Sequence, residues 1–122
     1  MPKTNNFQRE PKPIDERIAT SIVTLRNKKK KGIKAVIVTA YTYPEALIAD
    51  KAGVDIILIG DSLGMTTQGY KNTIAVTMDD MISHCRGVWR ANQKSFQIGD
   101  MPFMSYQESN RLAIRNAGMF IK

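Results

Sequence analysis

The sequence is poor in cysteine, histidine and tryptophan, with one of each in 122 residues. A single thiol cannot form an internal disulfide, and Cys85 beside His84 does not make a recognisable zinc-binding set. The longest apolar run, residues 56–59 with close neighbours, is far too short to cross a bilayer, and no apolar signal-peptide segment follows the polar start. We therefore expect a cytoplasmic protein without disulfides or membrane segments.

The sequence also lacks acidic residues to balance its bases, and its formal net charge is +7. The excess is confined to residues 1–34, which hold ten Lys or Arg and three Asp or Glu, whereas residues 35–122 hold eight of each. Much of it lies in the basic block of Arg26 and residues 28–31, which is typical of an exposed helix end. Phe7 is the only aromatic residue of that segment, so nucleic acid is not the expected partner.

The apolar pattern predicts strands and helices in alternation from residue 34 onward. We predict strands at about residues 34–41, 55–61 and 95–101, because each is a short, mostly apolar run of β-formers. Residues 1–14 contain three prolines and are predicted to be a flexible lead, followed by a helix over residues 15–31. Later helices are expected to begin near Pro44, after Thr77, and after Ser105 or Ser109, with a long irregular loop over residues 62–77.

This β-α-β-α-β-α order predicts an α/β fold with parallel strands and crossover helices. Two architectures compete, a small doubly wound sheet and the first three units of a (β/α)8 TIM barrel. Three strands are few for a doubly wound domain, and both edges of such a sheet would be bare. We therefore interpret residues 15–122 as an incomplete (β/α)8 barrel domain.

Two of the predicted strands end in the same tripeptide, Ile-Gly-Asp, at Asp61 and Asp100. The carboxyl ends of parallel strands meet at one edge of a sheet, so the two carboxylates are expected to face one point and to bind Mg2+. The alternative is that each aspartate caps the turn that follows it. Ser62 is either a hydrogen-bond donor to a substrate carboxylate or a turn cap, and Tyr41 either points into the same crevice or packs in the core.

The tetrapeptide Gly60-Asp-Ser-Leu63 also matches the nucleophile motif of GDSL esterases. A serine nucleophile needs a histidine base held by a third group. The only histidine, His84, falls inside a predicted helix rather than at a strand end. Hydrolysis by Ser62 is therefore not the favoured interpretation, and His84 and Cys85 are interpreted as packing residues.

Four parts of the sequence carry a resemblance to a known family: Val38-Thr-Ala-Tyr41, Asp55-Ile-Ile-Leu-Ile-Gly-Asp-Ser-Leu-Gly-Met-Thr-Thr-Gln-Gly69, Thr77, and Gly99-Asp-Met-Pro-Phe-Met-Ser-Tyr106. Over about residues 20–122, the sequence resembles the ketopantoate hydroxymethyltransferase family of pantothenate biosynthesis. The resemblance implies a TIM barrel, Mg2+, homo-oligomers of the full-length protein, and hydroxymethyl transfer from 5,10-methylenetetrahydrofolate to 3-methyl-2-oxobutanoate. By the same resemblance, Asp61 and Asp100 are metal ligands, and Asp61, Ser62 and Asp100 are substrate-binding residues.

The sequence departs from the family pattern in ways that bear on catalysis. The family motif Val-Lys-(Ile/Leu)-Glu-Gly-Gly, which supplies a substrate-binding lysine and a third metal carboxylate, is absent from the 122 residues, as is the catalytic glutamate. Lys122 is not that lysine because it ends a predicted helix. Thr42 stands where the family often has aspartate. No catalytic residue is assigned, and we expect the isolated chain to be inactive and prone to self-association.

Two other functions remain open at this point. The same two aspartates could serve a different Mg2+-dependent barrel lyase that acts on oxoacids. The basic block could instead belong to a nonenzymatic binding module.

Overall fold

The structure is a computed structural model that describes residues 16–122, and the predicted lead over residues 1–14 lies outside the described residues. Helices and strands alternate along most of the chain. In order they are α1 (Ile22–Lys30), β1 (Ile37–Thr39), α2 (Tyr43–Ala52), β2 (Ile56–Ile59), α3 (Leu63–Thr66), α4 (Met78–Ala91), β3 (Phe96–Gly99) and α5 (Asn110–Met119). No helix in this described part is long and apolar enough to cross a membrane.

The three strands form one parallel sheet in the order β1-β2-β3. Ile56 pairs with Ile37 on one side and with Phe96 on the other, and Ile59 pairs with Gly99. This confirms the predicted α/β class and parallel strands. The register also brings the carboxyl ends of β2 and β3 level with each other, which places the residues that follow both strands at one edge.

One face of the sheet is covered by helices. Ile57 and Ile59 of β2 are fully buried there, and each such side chain stabilises the fold by about 1.5–3 kcal/mol. The core around them is drawn mainly from α2 and α4 and includes Ala46, Ala49, Met81, Cys85 and Val88. The helix layer therefore holds the strands in place from one side.

The arrangement of the helices separates the two architectures that the sequence left open. A Cβ atom on Gly99 would lie 2.8 Å from Phe120 and 2.9 Å from the Cys85 sulfur, so the residue after α5 packs on the same face as α4. Sequential strands with their helices on one face are the pattern of a (β/α)8 barrel, whereas a doubly wound sheet carries helices on both faces. The fold is an incomplete barrel of three βα units in one open sheet.

Within residues 16–122, nothing covers the opposite face and the β1 edge of the sheet. Val36, Ile37 and Val38 are exposed, although their side chains are apolar. In a complete barrel the remaining strands close the sheet and fill its interior. The exposed apolar strand is thus the surface that barrel closure would bury.

Capping side chains set the ends of the two helices that carry most of the core. Thr42 and Glu45 form a capping box at the start of α2, which has proline in its first turn and ends at Gly53 with a φ of 85°. Thr77 and Asp80 form a capping box at the start of α4. The predicted start signals at Pro44 and Thr77 are confirmed, since these motifs satisfy the first backbone N–H groups of each helix.

The prediction of a helix from residue 15 was wrong in its first part. The helix begins only at Ile22, where Ser21 and Thr24 form a capping box, and Ile18 is exposed outside it. The preceding segment is held by a long-range contact, because the N–H of Thr20 donates to the carbonyl of Lys94 at 2.7 Å. The short helix α3, within the loop predicted over residues 62–77, was also missed.

A buried carboxylate fastens the start of β3 to the end of α2. Asp50 is 1% exposed and accepts hydrogen bonds from the backbone N–H groups of Gln93, Lys94 and Ser95 at 3.0, 3.2 and 2.9 Å. It also accepts from the Ser95 hydroxyl at 2.8 Å and pairs with Arg17 at 3.2 Å. The Asp50 side chain therefore accepts the hydrogen bonds of three successive backbone N–H groups in the turn before β3.

Asp50→Asn is expected to lower the free energy of unfolding by about 2–4 kcal/mol, since an amide cannot satisfy all these donors. Burial raises the pKa of the Asp50 carboxyl, but the hydrogen bonds from Gln93, Ser95 and Lys94 outweigh it, and the pKa lies below its ordinary value. An aspartate has a pKa of about 4 in the unfolded chain. Because the pKa of Asp50 is lower than this in the folded protein, its carboxylate stabilises the fold at a pH above about 4. This stabilisation is lost as the pH falls from about 4 through the folded-state pKa.

Urea unfolding followed by circular dichroism between pH 7 and pH 3 measures both effects. The exposed carboxylate Asp79 provides the control variant Asp79→Asn. Equal stability of the two variants at pH 7 would contradict the role assigned to Asp50.

Candidate metal and substrate site

Asp61 and Asp100 meet at the carboxyl edge of the sheet. The backbone N–H of Asp61 donates to Oδ2 of Asp100 at 3.2 Å, although the two residues are 39 positions apart. Both line one open cleft of about 470 Å³, together with Met101 and Tyr106. The two aspartates that the sequence singled out therefore share one cleft.

Gly60 makes room for this arrangement. A Cβ atom at this position would lie 3.0 Å from the Ser62 hydroxyl oxygen and 3.4 Å from Oδ2 of Asp100. The first distance is tighter than ordinary van der Waals contact, so a larger residue would push Ser62 aside. The glycine of the first Ile-Gly-Asp motif thus lets Ser62 and Asp100 approach the end of β2 closely, and its backbone angle is one that other residues also adopt.

Neither aspartate caps the turn that follows it. Within residues 16–122, the side-chain hydrogen bond of Asp100 comes from Asp61 on the neighbouring strand end, and Asp61 accepts none through its carboxylate. Both side chains are partly exposed. Their oxygen atoms therefore remain available to a ligand in the cleft.

Ser62 lies beside the cleft and not among its lining residues. It occupies the N-cap position of α3 but makes no side-chain capping hydrogen bond. Its hydroxyl is instead 2.8 Å from the phenol oxygen of Tyr41. The capping role considered for Ser62 is thus not what its side chain does.

Tyr41 is held through its backbone as well as its phenol. Its N–H donates to a carboxylate oxygen of Glu45 at 2.8 Å, and its carbonyl oxygen lies 2.6 Å from Nδ1 of His84. The hydrogen bond from Tyr41 is the main cause that keeps the pKa of Glu45 below its ordinary value, against the opposing effect of burial. Residues of α2 and α4 therefore fix the end of β1.

The loop after Asp61 is anchored to the start of α4. The side-chain amide of Gln68 donates to Asp80 at 3.1 Å, and Asp80 is also the capping partner of Thr77. A Cβ atom on Gly64 would lie only 2.4 Å from the Val76 side chain, so this contact within the loop requires glycine. The loop that follows Asp61 and Ser62 is thus held against the start of α4 by Gln68 and packs closely against Val76 at Gly64.

Comparison with known proteins identifies the family. Residues 19–122 match the model of the family described as ketopantoate hydroxymethyltransferase. The chain belongs to this family. The relatives named 3-methyl-2-oxobutanoate hydroxymethyltransferase include proteins of Syntrophomonas wolfei, 51% identical over 102 residues, and Moorella thermoacetica, 48% identical over 107 residues.

The matched region is most of this chain but a smaller part of each relative. It covers 84% of the chain and 37% of the Syntrophomonas wolfei protein, and 88% and 40% for Moorella thermoacetica. For a third relative, from a Thermoanaerobacter species, the identity is 49% over 108 residues, with shares of 88% and 39%. The chain spans about two fifths of the length of these relatives.

The donor set in the cleft fits a hard divalent cation in part. The described residues hold no group of three or more His, Cys, Asp or Glu side chains arranged to bind a metal. Asp61 and Asp100 offer two carboxylates, and Mg2+ is commonly bound by one or two carboxylates while substrate oxygens and water complete its shell. Asp61 and Asp100 are therefore compatible with Mg2+ binding at the carboxyl edge of the sheet.

Sequence reasoning missed two contributions to the site. Tyr106 lines the cleft, although no role was assigned to it, and its position in the loop after β3 was the available signal. His84 was interpreted as a packing residue, but its ring bonds to the carbonyl of Tyr41. Because Ser62 is paired with Tyr41 and not with His84, the serine–histidine pair of a GDSL hydrolase is not formed.

Cys85 packs beneath the site, and its thiol is expected to be unreactive. Burial, together with the negative charge of Asp100, raises the pKa of Cys85 to about 11. Iodoacetamide alkylation at pH 8 should therefore be about 100-fold slower in the native protein than in urea, because the thiolate is the reacting form. Mass spectrometry over time measures the rate, and equally fast native labelling would contradict this packing.

Proposed function

We propose that this chain provides the magnesium- and oxoacid-binding edge of a 3-methyl-2-oxobutanoate hydroxymethyltransferase. The reaction would transfer a hydroxymethyl unit from 5,10-methylenetetrahydrofolate to 3-methyl-2-oxobutanoate and give 2-dehydropantoate. Family membership supports the proposal, and the observation that carries it is the shared cleft of Asp61 and Asp100, linked by a 3.2 Å hydrogen bond.

Asp61 and Asp100 would bind Mg2+ through their carboxylate oxygens. When bound, Mg2+ supplies a Lewis acid that polarises the carbonyl of a 2-oxoacid and favours loss of the neighbouring C–H proton. The hydrogen bond from Asp61 to Asp100 uses one oxygen of Asp100 and limits how far that side chain can turn away. The protein's part would be to bring the two carboxylates to one edge of the sheet before the ligand arrives.

The cleft suits a small, partly apolar acid. Its volume of about 470 Å³ lies within the usual range of small-molecule sites. Met101 and the ring of Tyr106 offer apolar surface to the branched end of the oxoacid, while the hydroxyl of Ser62 would donate to its carboxylate. Substrate would thus lie between the carboxylate pair and the loop that follows β3.

The described cleft does not supply every group that the proposed reaction needs. Among the described residues that line the cleft, there is no glutamate or histidine to act as the base. A three-stranded open sheet also leaves the cleft unenclosed on the side where further strands of a barrel would stand. Catalysis would therefore require residues in addition to those that line this cleft.

The basic block does not favour the alternative of a nucleic-acid-binding module. Lys28 forms an ion pair with Asp55, and Asp55 also accepts the N–H of Val36 at 2.8 Å. This lysine therefore fastens α1 to the sheet. Lys29, Lys30 and Lys31 are exposed at the end of the helix, as expected for a solvated charge run.

Removing either carboxylate should weaken cation binding. We expect Asp61→Asn and Asp100→Asn each to reduce the affinity of the chain for Mg2+ by about tenfold or more, because a neutral amide is a poor ligand for a hard cation. Isothermal titration with MgCl2 measures the affinity. Asp79→Asn removes an exposed carboxylate elsewhere and should leave it unchanged; equal affinity of all three variants would contradict the proposed site.

The 122-residue chain alone should show negligible turnover with Mg2+, 5,10-methylenetetrahydrofolate and 3-methyl-2-oxobutanoate. The reason is the absence of a base at the described cleft and its lack of enclosure. Product formation followed by chromatography tests this expectation, with the full-length Moorella thermoacetica relative as the positive control. Turnover close to that of the control would refute it.

A further inference from the structure

Tyr41 connects the carboxyl ends of β1 and β2 through its side chain. It lies two residues beyond β1, and its phenol oxygen is 2.8 Å from the hydroxyl oxygen of Ser62. Ser62 in turn stands next to Gly60, where a Cβ atom would be 3.0 Å from its hydroxyl. The Ser62 hydroxyl thus lies close both to the phenol of Tyr41 and to the backbone at Gly60.

The backbone of Tyr41 is fixed independently of its side chain. Glu45 accepts the N–H groups of Tyr41 and Thr42 at 2.8 and 3.0 Å as part of the α2 cap. A carbonyl oxygen can only accept, so Nδ1 of His84 is the donor in the 2.6 Å contact with Tyr41. Both the neutral Nδ1–H tautomer and the imidazolium ion make this bond. Because α2 and α4 pack in the core, they hold the backbone from which the phenol extends.

The direction of the Tyr41–Ser62 hydrogen bond decides what Ser62 can do. A serine hydroxyl has one proton to donate, and a phenol is the more acidic hydroxyl and therefore the better donor. When Tyr41 donates to Ser62, the Ser62 proton remains free for an acceptor. Ser62 makes no side-chain capping hydrogen bond that would compete with this contact.

From this geometry we propose that Tyr41 is a positioning residue, which holds the Ser62 hydroxyl as a hydrogen-bond donor toward the carboxylate of the bound 2-oxoacid. This role rests on the proposed function, because it names the ligand that receives the Ser62 proton. Tyr41 does not touch the reacting atoms. Its phenol acts on the substrate only through Ser62.

A purely structural role is the competing explanation, because the Tyr41 ring also packs against the core. Tyr41→Phe separates the two, since it keeps the ring and removes only the hydroxyl. Tyr43→Phe is the matched control. Tyr43 is exposed at the start of α2, and its phenol makes no hydrogen bond within residues 16–122.

The first measurement concerns the 122-residue chain itself and needs no activity. Three-bond NMR couplings across the Cα–Cβ bond of selectively labelled Ser62 report its rotamer populations. We expect one dominant rotamer in the unchanged chain and in Tyr43→Phe, and averaged couplings in Tyr41→Phe. Unchanged couplings in Tyr41→Phe would overturn the proposal.

The second measurement concerns turnover in a complete protein, made by fusing residues 19–122 to the remaining part of the Moorella thermoacetica relative. Tyr41→Phe should raise KM for 3-methyl-2-oxobutanoate about 10- to 100-fold, the effect expected when one hydrogen bond to a charged group is lost. It should change kcat less than about twofold, because the substrate carboxylate is bound equally in the ground and transition states. Ser62→Ala should raise KM similarly, and adding Tyr41→Phe to it should change little more.

The two readouts distinguish failure of this proposal from failure of the proposed function. A KM in Tyr41→Phe equal to that of Tyr43→Phe, or effects of the Tyr41 and Ser62 changes that multiply, would overturn the positioning role. Absence of oxoacid turnover in the fusion protein that carries no substitution would contradict the proposed function. The rotamer of Ser62 would then still decide whether Tyr41 positions it.

Discussion

The hydrogen bond from the backbone N–H of Asp61 to the carboxylate of Asp100 is the contact on which the candidate site depends. It exists because β2 and β3 run parallel with Ile59 opposite Gly99, so that the residues after both strands emerge at the same level. A shift of one residue in this register would turn one of the two side chains to the other face of the sheet. Strand pairing thus determines whether two carboxylates can act on one ligand.

The register itself is held from the helix side of the sheet. Ile57 and Ile59 of β2 are fully buried against α2 and α4, and Asp50 ties the end of α2 to the turn that enters β3. The carboxyl edge, by contrast, carries partly exposed polar groups and an open cleft. The residues that stabilise the sheet and those of the candidate site therefore lie at different positions along the strands, as is usual for barrels in which the carboxyl ends carry function.

Much of this organisation could be predicted from the sequence, because local signals agree with the fold. Apolar runs located the three strands, and Pro44 and Thr77 marked helix starts that the structure confirms. Contacts between distant residues could not be read from periodicity, so the segment around Ile18, held by a bond from Thr20 to Lys94, was wrongly predicted as helix. The pairing of Tyr41 with Ser62 was hidden for the same reason, and the metal- and substrate-binding roles of Asp61, Ser62 and Asp100 stay predictions.

The most direct test of the central claim is a crystal structure of the protein grown with Mn2+ in place of Mg2+, with anomalous data collected to locate the metal. The account predicts one strong peak in the cleft, within about 2.1 Å of a carboxylate oxygen from Asp61 and of one from Asp100. A cation bound to only one of the two side chains, or to another part of the molecule with the cleft left empty, would contradict it.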